Sequence, residues 1–155
     1  MPGSRFWIAV GTLLAGLAVG CGAFAAHGLD GYFRTHYAGR EYEKTIATPT
    51  GREVVETIPL HKKYLTDFDT GARYQMYHAL ALIALGLLPA GVNQRRVHLT
   101  GACFLLGIAG FSGGLYVYTV LDQRWVGMSI VPLGGVFFLI GWCLFAWCAA
   151  RKGEA

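Results

Sequence analysis

Three polar side chains open an otherwise apolar run: Tyr74, Gln75 and His78. At 100° per residue they share one helix face with Gly71 and Leu82, while Met76, Leu80, Ile83 and Leu87 share the opposite face. The second face carries no polar atom and suits lipid. The first carries an amide and an imidazole, and an unpaired polar group in hydrocarbon costs several kcal/mol. That face is expected to point into a helix bundle. Gln75 and His78 are then either interhelical hydrogen bonds worth roughly 1 kcal/mol each, or a site for a ligand, a metal or a proton. A second group, Ser112, Tyr116 and Thr119, lies on one face of a later run, and His27 sits at the end of the first run. His27 and His78 together would be a two-imidazole site for a metal or an axially ligated haem. Two histidines with no third ligand are a weak metal signal, and no metal or cofactor is assigned. Ser112 beside His78 is the nearest thing to a nucleophile and base. No carboxylate pair, Ser-His-Asp set or HExxH lies at the same depth, so no catalytic residue is assigned and the reading is non-enzymatic.

The elements that must position these groups are four uncharged runs, about 6–26, 74–92, 99–121 and 126–150, each near the ~20 residues that span a bilayer. Of 155 residues, 54% are hydrophobic and 14% charged, well below the roughly 25% charged residues of soluble domains. The expected fold is an all-α integral membrane protein. It is a single domain, a four-transmembrane-helix bundle with an extramembrane segment, 29–73, between the first two spans. The net charge of +4 is a topology signal rather than a nucleic-acid one. Arg5, Arg95, Arg96, Arg151 and Lys152 sit at span ends on one side, while 29–73 with Asp122 and Arg124 holds eight basic and eight acidic residues. The positive-inside bias places both termini in the cytoplasm. Cys21, Cys103, Cys143 and Cys148 all fall inside predicted spans without a CxxC pair, so neither disulfide nor zinc is expected.

In chain order, residues 1–26 resemble a secretory signal, with Ala23-Phe24-Ala25 as a cleavage site and Ala18–Cys21 as an imperfect lipoprotein box. A retained first helix is favoured, because Gly16 and Gly20 form a small-residue packing face. His27 would cap the outer end of that helix. Residues 42–46 and 53–58 are β-prone around Thr48-Pro49-Thr50-Gly51, which predicts a short hairpin. After Pro59, Leu60, Tyr64, Leu65 and Phe68 recur at helical spacing, predicting an amphipathic helix on the membrane surface, with Thr66-x-x-Asp69 capping the next helix. The third and fourth runs carry Gly110, Gly113, Gly114, Gly134 and Gly135 as further packing positions. His27, Tyr74, Gln75, His78, Ser112 and Tyr116 all fall in the outer half, with Ser112 roughly 14 Å and His78 roughly 6 Å from their outer helix ends. A polar pocket open to the outside fits this distribution; a through-pore does not.

Four segments occur in order: Gly22-Ala23-Phe24-Ala25-Ala26-His27-Gly28-Leu29, Thr70-Gly71-x-x-Tyr74-Gln75-x-Tyr77-His78-Ala79-Leu80-Ala81, Phe111-Ser112-Gly113-Gly114-Leu115-Tyr116 and Pro132-Leu133-Gly134-Gly135. On these the chain resembles the YgdD/YwdK-like family, the domain of unknown function four-two-three. The resemblance covers the chain except roughly 35–60, where family members usually have a shorter loop. Ala25, Gly114 and Val131 stand where the family usually has glycine, serine and threonine. The resemblance implies four helices and a bacterial inner membrane, and brings no established activity. The expectation is a non-enzymatic binding or accessory protein in contact with the lipid bilayer, with a membrane-protein partner or a second copy of itself. The alternatives are a cofactor protein built on His27 and His78, or a small transporter working as an oligomer.

Overall fold

A chain with no water around its backbone must close every hydrogen bond within itself, and long helices do this most simply. In the computed structural model, which describes residues 2–89 and 91–150, four helical rods run alternately up and down. The first is α1 (Pro2–Phe24), a π-helical turn (Ala25–Leu29) and α2 (Asp30–His36), without a break. A hairpin of β1 (Glu41–Thr48) and β2 (Gly51–Pro59) follows. The second rod is α3 (Leu60–Gly86). The third is α4 (Gln94–Gly107), a π turn (Ile108–Gly113) and α5 (Gly114–Val120). A final π turn (Val126–Ile130) leads into α6 (Val131–Ala150). Arg151, Lys152 and Glu154, part of the charge bias, lie outside the described residues.

Among the described residues, three helical stretches are long and apolar enough to cross a membrane: Arg5–His36, Gln94–Val120 and Val126–Ala150. The α3 rod carries Lys62, Lys63, Asp67, Asp69 and Arg73 in its first half and becomes apolar only beyond them, stopping at Gly86 short of Val92. The first rod corrects one expectation. It continues past residue 26 to His36, so His27 does not cap a helix end but lies exposed in a π turn. At 1.5 Å per residue the stretch from Arg5 to His36 is roughly 48 Å long, well over a ~30 Å hydrocarbon core.

A second expectation is also corrected. Leu60, Tyr64 and Phe68 do not form an exposed apolar face for a membrane surface. They are buried with Ala25, Leu29, Phe33 and Tyr37 in a compact outer core, flanked by Tyr116 and Tyr118. Thr66 makes no cap; its hydroxyl bonds back to the Lys62 carbonyl at 3.0 Å inside one continuous helix. Pro59 starts that helix at φ −58°, the value its ring imposes. The hairpin forms around the expected turn, with Gly51 at φ +139° and a bulge at Lys44/Thr45. Nearly all of it is exposed, and Lys44 pairs across the strands with Glu56 at 3.7 Å.

At the opposite end a second core gathers Trp7, Leu82, Leu85, Val97, Phe104 and Phe138. Here glycines seat aromatic rings. Phe138 lies over Gly107 and Phe104 over Gly141, a reciprocal exchange between α4 and α6. Gly110 and Gly134 bring the same two rods into backbone contact. A Cβ on Gly134 would collide with the main chain of Gly110 and Phe111. Gly16 and Gly20, expected as a packing face, have nothing within 4 Å; α1 meets α3 through Gly11, beside Ala79 and Ile83, instead. Gly113 and Gly135 are only loosely approached, at 3.8 Å, while a Cβ on Gly114 would lie 2.9 Å from Val131.

These contacts predict opposite outcomes for two alanine substitutions. Gly134→Ala should cost about 2 kcal/mol, because backbone cannot yield as a side chain can. Gly16→Ala should change stability by less than about 0.5 kcal/mol. Thermal midpoints in mild detergent measure both.

Candidate functional site

The sequence-predicted pocket residues separate into distinct environments. Gln75 spends both ends of its amide on neighbours. Its NH2 donates to the Leu14 carbonyl at 2.9 Å, and its carbonyl accepts the Tyr116 hydroxyl at 3.0 Å. One side chain thereby ties α1, α3 and α5 together. His78 is also saturated. Its Nδ1 lies 2.7 Å from the Tyr74 carbonyl, four residues back, and its Nε2 lies 3.1 Å from the Trp142 indole nitrogen. Indole N–H can only donate, so Nε2 accepts and Nδ1 carries the proton. The neutral ring stacks on Phe138 at 3.4 Å and 6°.

This geometry lends no support to the two-histidine cofactor alternative. A metal needs a free imidazole lone pair, and the one on His78 already accepts from Trp142. His27 is exposed in its π turn and makes no bond or ring contact with His78. Among the described residues no group of three or more His, Cys, Asp or Glu is placed to hold a metal ion. Tyr74 is exposed rather than inward, its ring against Phe111. Ser112 is fully buried, and its hydroxyl has no partner among the described residues, so it is not paired with His78.

The charged chemistry lies further out, where the sequence reading assigned no site. Asp122, in the short loop after α5, sits at φ +52° and gathers three neighbours. Arg40 donates to its Oδ2 at 2.7 Å, the Tyr64 hydroxyl donates to Oδ1, and Arg124 lies 4.0 Å away. Close by, the Tyr37 hydroxyl donates to the Thr119 carbonyl at 2.8 Å. Burial alone would raise the Asp122 pKa. The hydrogen bonds from Tyr64 and Arg40, with the charge of Arg40, outweigh it and hold the carboxyl below its ordinary value. Burial and the same carboxylate push Tyr64 up, so it stays a donor.

Beside this hub a cleft of about 710 Å³ opens between hairpin and bundle. Its hairpin wall carries Glu41, Tyr42 and Glu43; its bundle wall carries Lys63, Asp67, Tyr118 and Arg124; Leu115, Gly127 and Met128 form its apolar side. Lys63 is largely enclosed. Its ammonium pairs with Asp67 and stands 4.7 Å and 5.4 Å from the ring centres of Tyr42 and Tyr118. Burial would lower the Lys63 pKa, but Asp67 and Tyr118 more than offset it, so the ammonium stays charged. None of His27, Tyr74, Gln75, His78, Ser112 or Tyr116 lines this cleft. The one sequence signal for it was a charge pair, Asp122 and Arg124, in an otherwise apolar span-to-span turn.

Two predictions follow from these contacts. His78→Ala should destabilise by about 3 kcal/mol through a cavity against Phe138 and an orphaned Trp142 donor, whereas His27→Ala should stay within about 0.5 kcal/mol; thermal unfolding compares them. The Asp122 pair has a defined acid response. Its folded pKa is depressed, so its stabilisation is complete above the unfolded value of about 3.9 and is lost as pH falls through the lower folded value. Exchange of the Leu60 amide, bonded to the Arg40 carbonyl at 2.9 Å, should accelerate below that range. Asp122→Asn should exchange fast at every pH.

Comparison with known proteins gives a family without an activity. Residues 21–135 match the family model described as a protein of unknown function, DUF423. The UPF0382 membrane protein YwdK of Bacillus subtilis is 35% identical over 150 residues, 95% of this chain and 98% of its own. A UPF0382 membrane protein of Staphylococcus saprophyticus is 34% identical over 140 residues, 90% and 92% of the two chains. One of Staphylococcus epidermidis is 35% identical over 138 residues, 89% of each. No solved structure matches. With the model covering most of its length and relatives aligned nearly end to end, the chain belongs to the DUF423 family of membrane proteins.

Proposed function

We propose that this protein is a non-enzymatic binding protein of the bacterial inner membrane, with four crossing helices, both termini cytoplasmic and a cleft open to the outside. The observation that carries the reading is the cleft between hairpin and bundle, with an enclosed lysine, paired with Asp67, held between two tyrosines. Gln75, His78 and Tyr116 act in it as interhelical hydrogen bonds, and binding moves outward from them.

The fourth crossing rests on α3. Its apolar half runs antiparallel along α1, with Gly11 beside Ala79 and Ile83 and Gln75 on Leu14. Its buried polar side chains there are satisfied inside the protein, which makes the segment compatible with hydrocarbon despite its short apolar length. A second reading, an accessory subunit, is favoured by one feature. The open Gly16/Gly20 face of α1 suits close approach of a helix from a partner or from a second copy.

Topology is testable in a variant whose four native cysteines are replaced. Thr48→Cys should react with a membrane-impermeant maleimide in intact cells, and Gln94→Cys only after permeabilisation. The reverse pattern would invert the orientation. Both positions reacting from one side would mean that α3 does not cross.

A further inference from the structure

One face of α3 stays open along the whole rod. Thr66, Asp69, Arg73, Met76, Leu80 and Leu87 fall on the alternating four- and three-residue spacing of a heptad. Thr66, Arg73, Leu80 and Leu87 are exposed, Asp69 and Met76 half-buried. The inner half of this stripe, from Met76 on, is apolar. The outer half is charged: Arg73 pairs with Asp69, one turn back, at 3.0 Å, and the two side chains are 56% and 47% exposed. Beside the pair, Gly22, Ala25 and Ala26 of the first rod border an open groove of about 330 Å³ that Thr66 and Asp69 also line.

With α3 crossing the membrane as proposed above, the rods around it give the depth of that pair. Trp125 and Trp147, both exposed, lie at opposite ends of the last rod, roughly 33 Å apart, which is the separation of two interfacial aromatic belts. Arg96 stands over Trp147 at the inner belt, 4.5 Å from its ring centre. Asp122, just before Trp125, holds Tyr64 of α3 at the outer belt. Asp69 and Arg73 lie roughly 7 and 13 Å further in along the helix, at the depth of acyl chains. An ion pair turned to hydrocarbon is costly even when its members meet. This face therefore needs a cover that lipid cannot give. The same charges keep α3 out of the stretches that qualify as spans on hydropathy alone.

Resting on that crossing, we infer that the cover is α3 of a second copy of this chain, packed against the first as a parallel two-helix seam. Copies of one chain enter a membrane in one orientation, so the two-fold axis stands along the membrane normal and each residue meets its counterpart at equal depth. Under that axis the stripe is its own complement. It carries one carboxylate and one guanidinium a turn apart, and each guanidinium reaches the other copy's carboxylate as well as its own. Two exposed pairs close into one ring of four charges, hidden from lipid. The heptad spacing is the period of a left-handed helix pair. Leu80 and Leu87 make its dry inner part, and the groove beside Gly22 and Ala26 leaves room for long side chains around the ring. Gly16 and Gly20 do not border that groove, so this seam is distinct from the open α1 face.

Cysteine cross-linking in native membranes tests this, in the variant whose four native cysteines are replaced. Thr66→Cys and Leu80→Cys should each give a disulfide-linked dimer on copper-catalysed oxidation, because facing positions of a heptad seam lie within disulfide reach. Leu139→Cys, on the exposed surface of α6, should stay monomeric. Charge is tested between copies. Asp69→Arg in one tagged copy and Arg73→Asp in another leave each variant with like charges. Coexpressed, the two should cross-link through Leu80→Cys about fivefold more than either alone, since only the mixed pair restores opposite charges. A bond confined within one helix is broken in both copies and gains nothing from mixing. The single Thr66 and Leu80 cross-links keep the native charges and do not depend on those variants folding. Dimers at Thr66 and Leu80 no stronger than at Leu139, or a mixed pair no better than its members, would overturn the inference. Dimers through Leu13→Cys in their place would also overturn it and move the interface to α1. With Thr48→Cys and Gln94→Cys labelled from opposite sides, a missing Leu80 dimer sinks this inference alone. Labelling of both from one side sinks the crossing of α3 itself, and the seam with it.

Discussion

A carboxylate at the rim of a membrane protein must be hydrated or paired, and Asp122 is paired with residues far away in the chain. Arg40 stands at the base of the hairpin and Tyr64 in the first turns of α3; both converge on this one side chain. The outer core beneath it, Phe33, Tyr37, Tyr64 and Phe68, is apolar and non-directional. Hydrophobic burial would tolerate sliding or rotation there. The Asp122 bonds, with Tyr37 on the Thr119 carbonyl, set the register of hairpin, α2 and α3 against the turn that joins α5 to α6. The hairpin depends on this most. A two-stranded ribbon is marginal by itself, and this one is exposed along nearly its whole length.

Within the rods the constraint changes from charge to satisfaction. Hydrocarbon offers no partner to an amide or an imidazole. Gln75 and His78 therefore find theirs inside the protein, on Leu14, Tyr116, the Tyr74 carbonyl and Trp142. What looked like spare chemistry is spent on structure. The reciprocal seats of Phe138 on Gly107 and Phe104 on Gly141 then let α4 and α6 close to backbone contact at Gly110 and Gly134. The cleft lies outside both constraints, at the hairpin end of the bundle, where Glu41, Glu43 and Arg124 are exposed.

The apolar runs, the hairpin with its turn and the start of α3 after Pro59 were legible in the residues themselves. So was the need of Gln75 and His78 for internal partners. The family was legible too, from short motifs in order. Three of the four motifs fall on or next to the π turns at Ala25–Leu29, Ile108–Gly113 and Val126–Ile130, and the fourth, Thr70–Ala81, lies within α3. No periodicity argument exposes an extra residue in a helical turn, and the first of these turns carries the helix on to His36, where an end was expected near residue 26.

Local rules determine what neighbours in sequence do: hydropathy sets which stretches avoid water, and turn chemistry sets where a strand reverses. Partnership across the chain follows a different rule. Asp122 meets Arg40 across 82 positions and Tyr64 across 58, and Trp142 reaches His78 across 64. Many carboxylates and indoles in the sequence are equal candidates for such pairs. Only packing chose among them, because rod length, glycine seating and ring stacking decide which side chains arrive within hydrogen-bond reach. The sequence alone determined a helical membrane protein with a hairpin and a buried polar face. The tertiary structure decided that the buried face is closed and that the open chemistry lies at the rim.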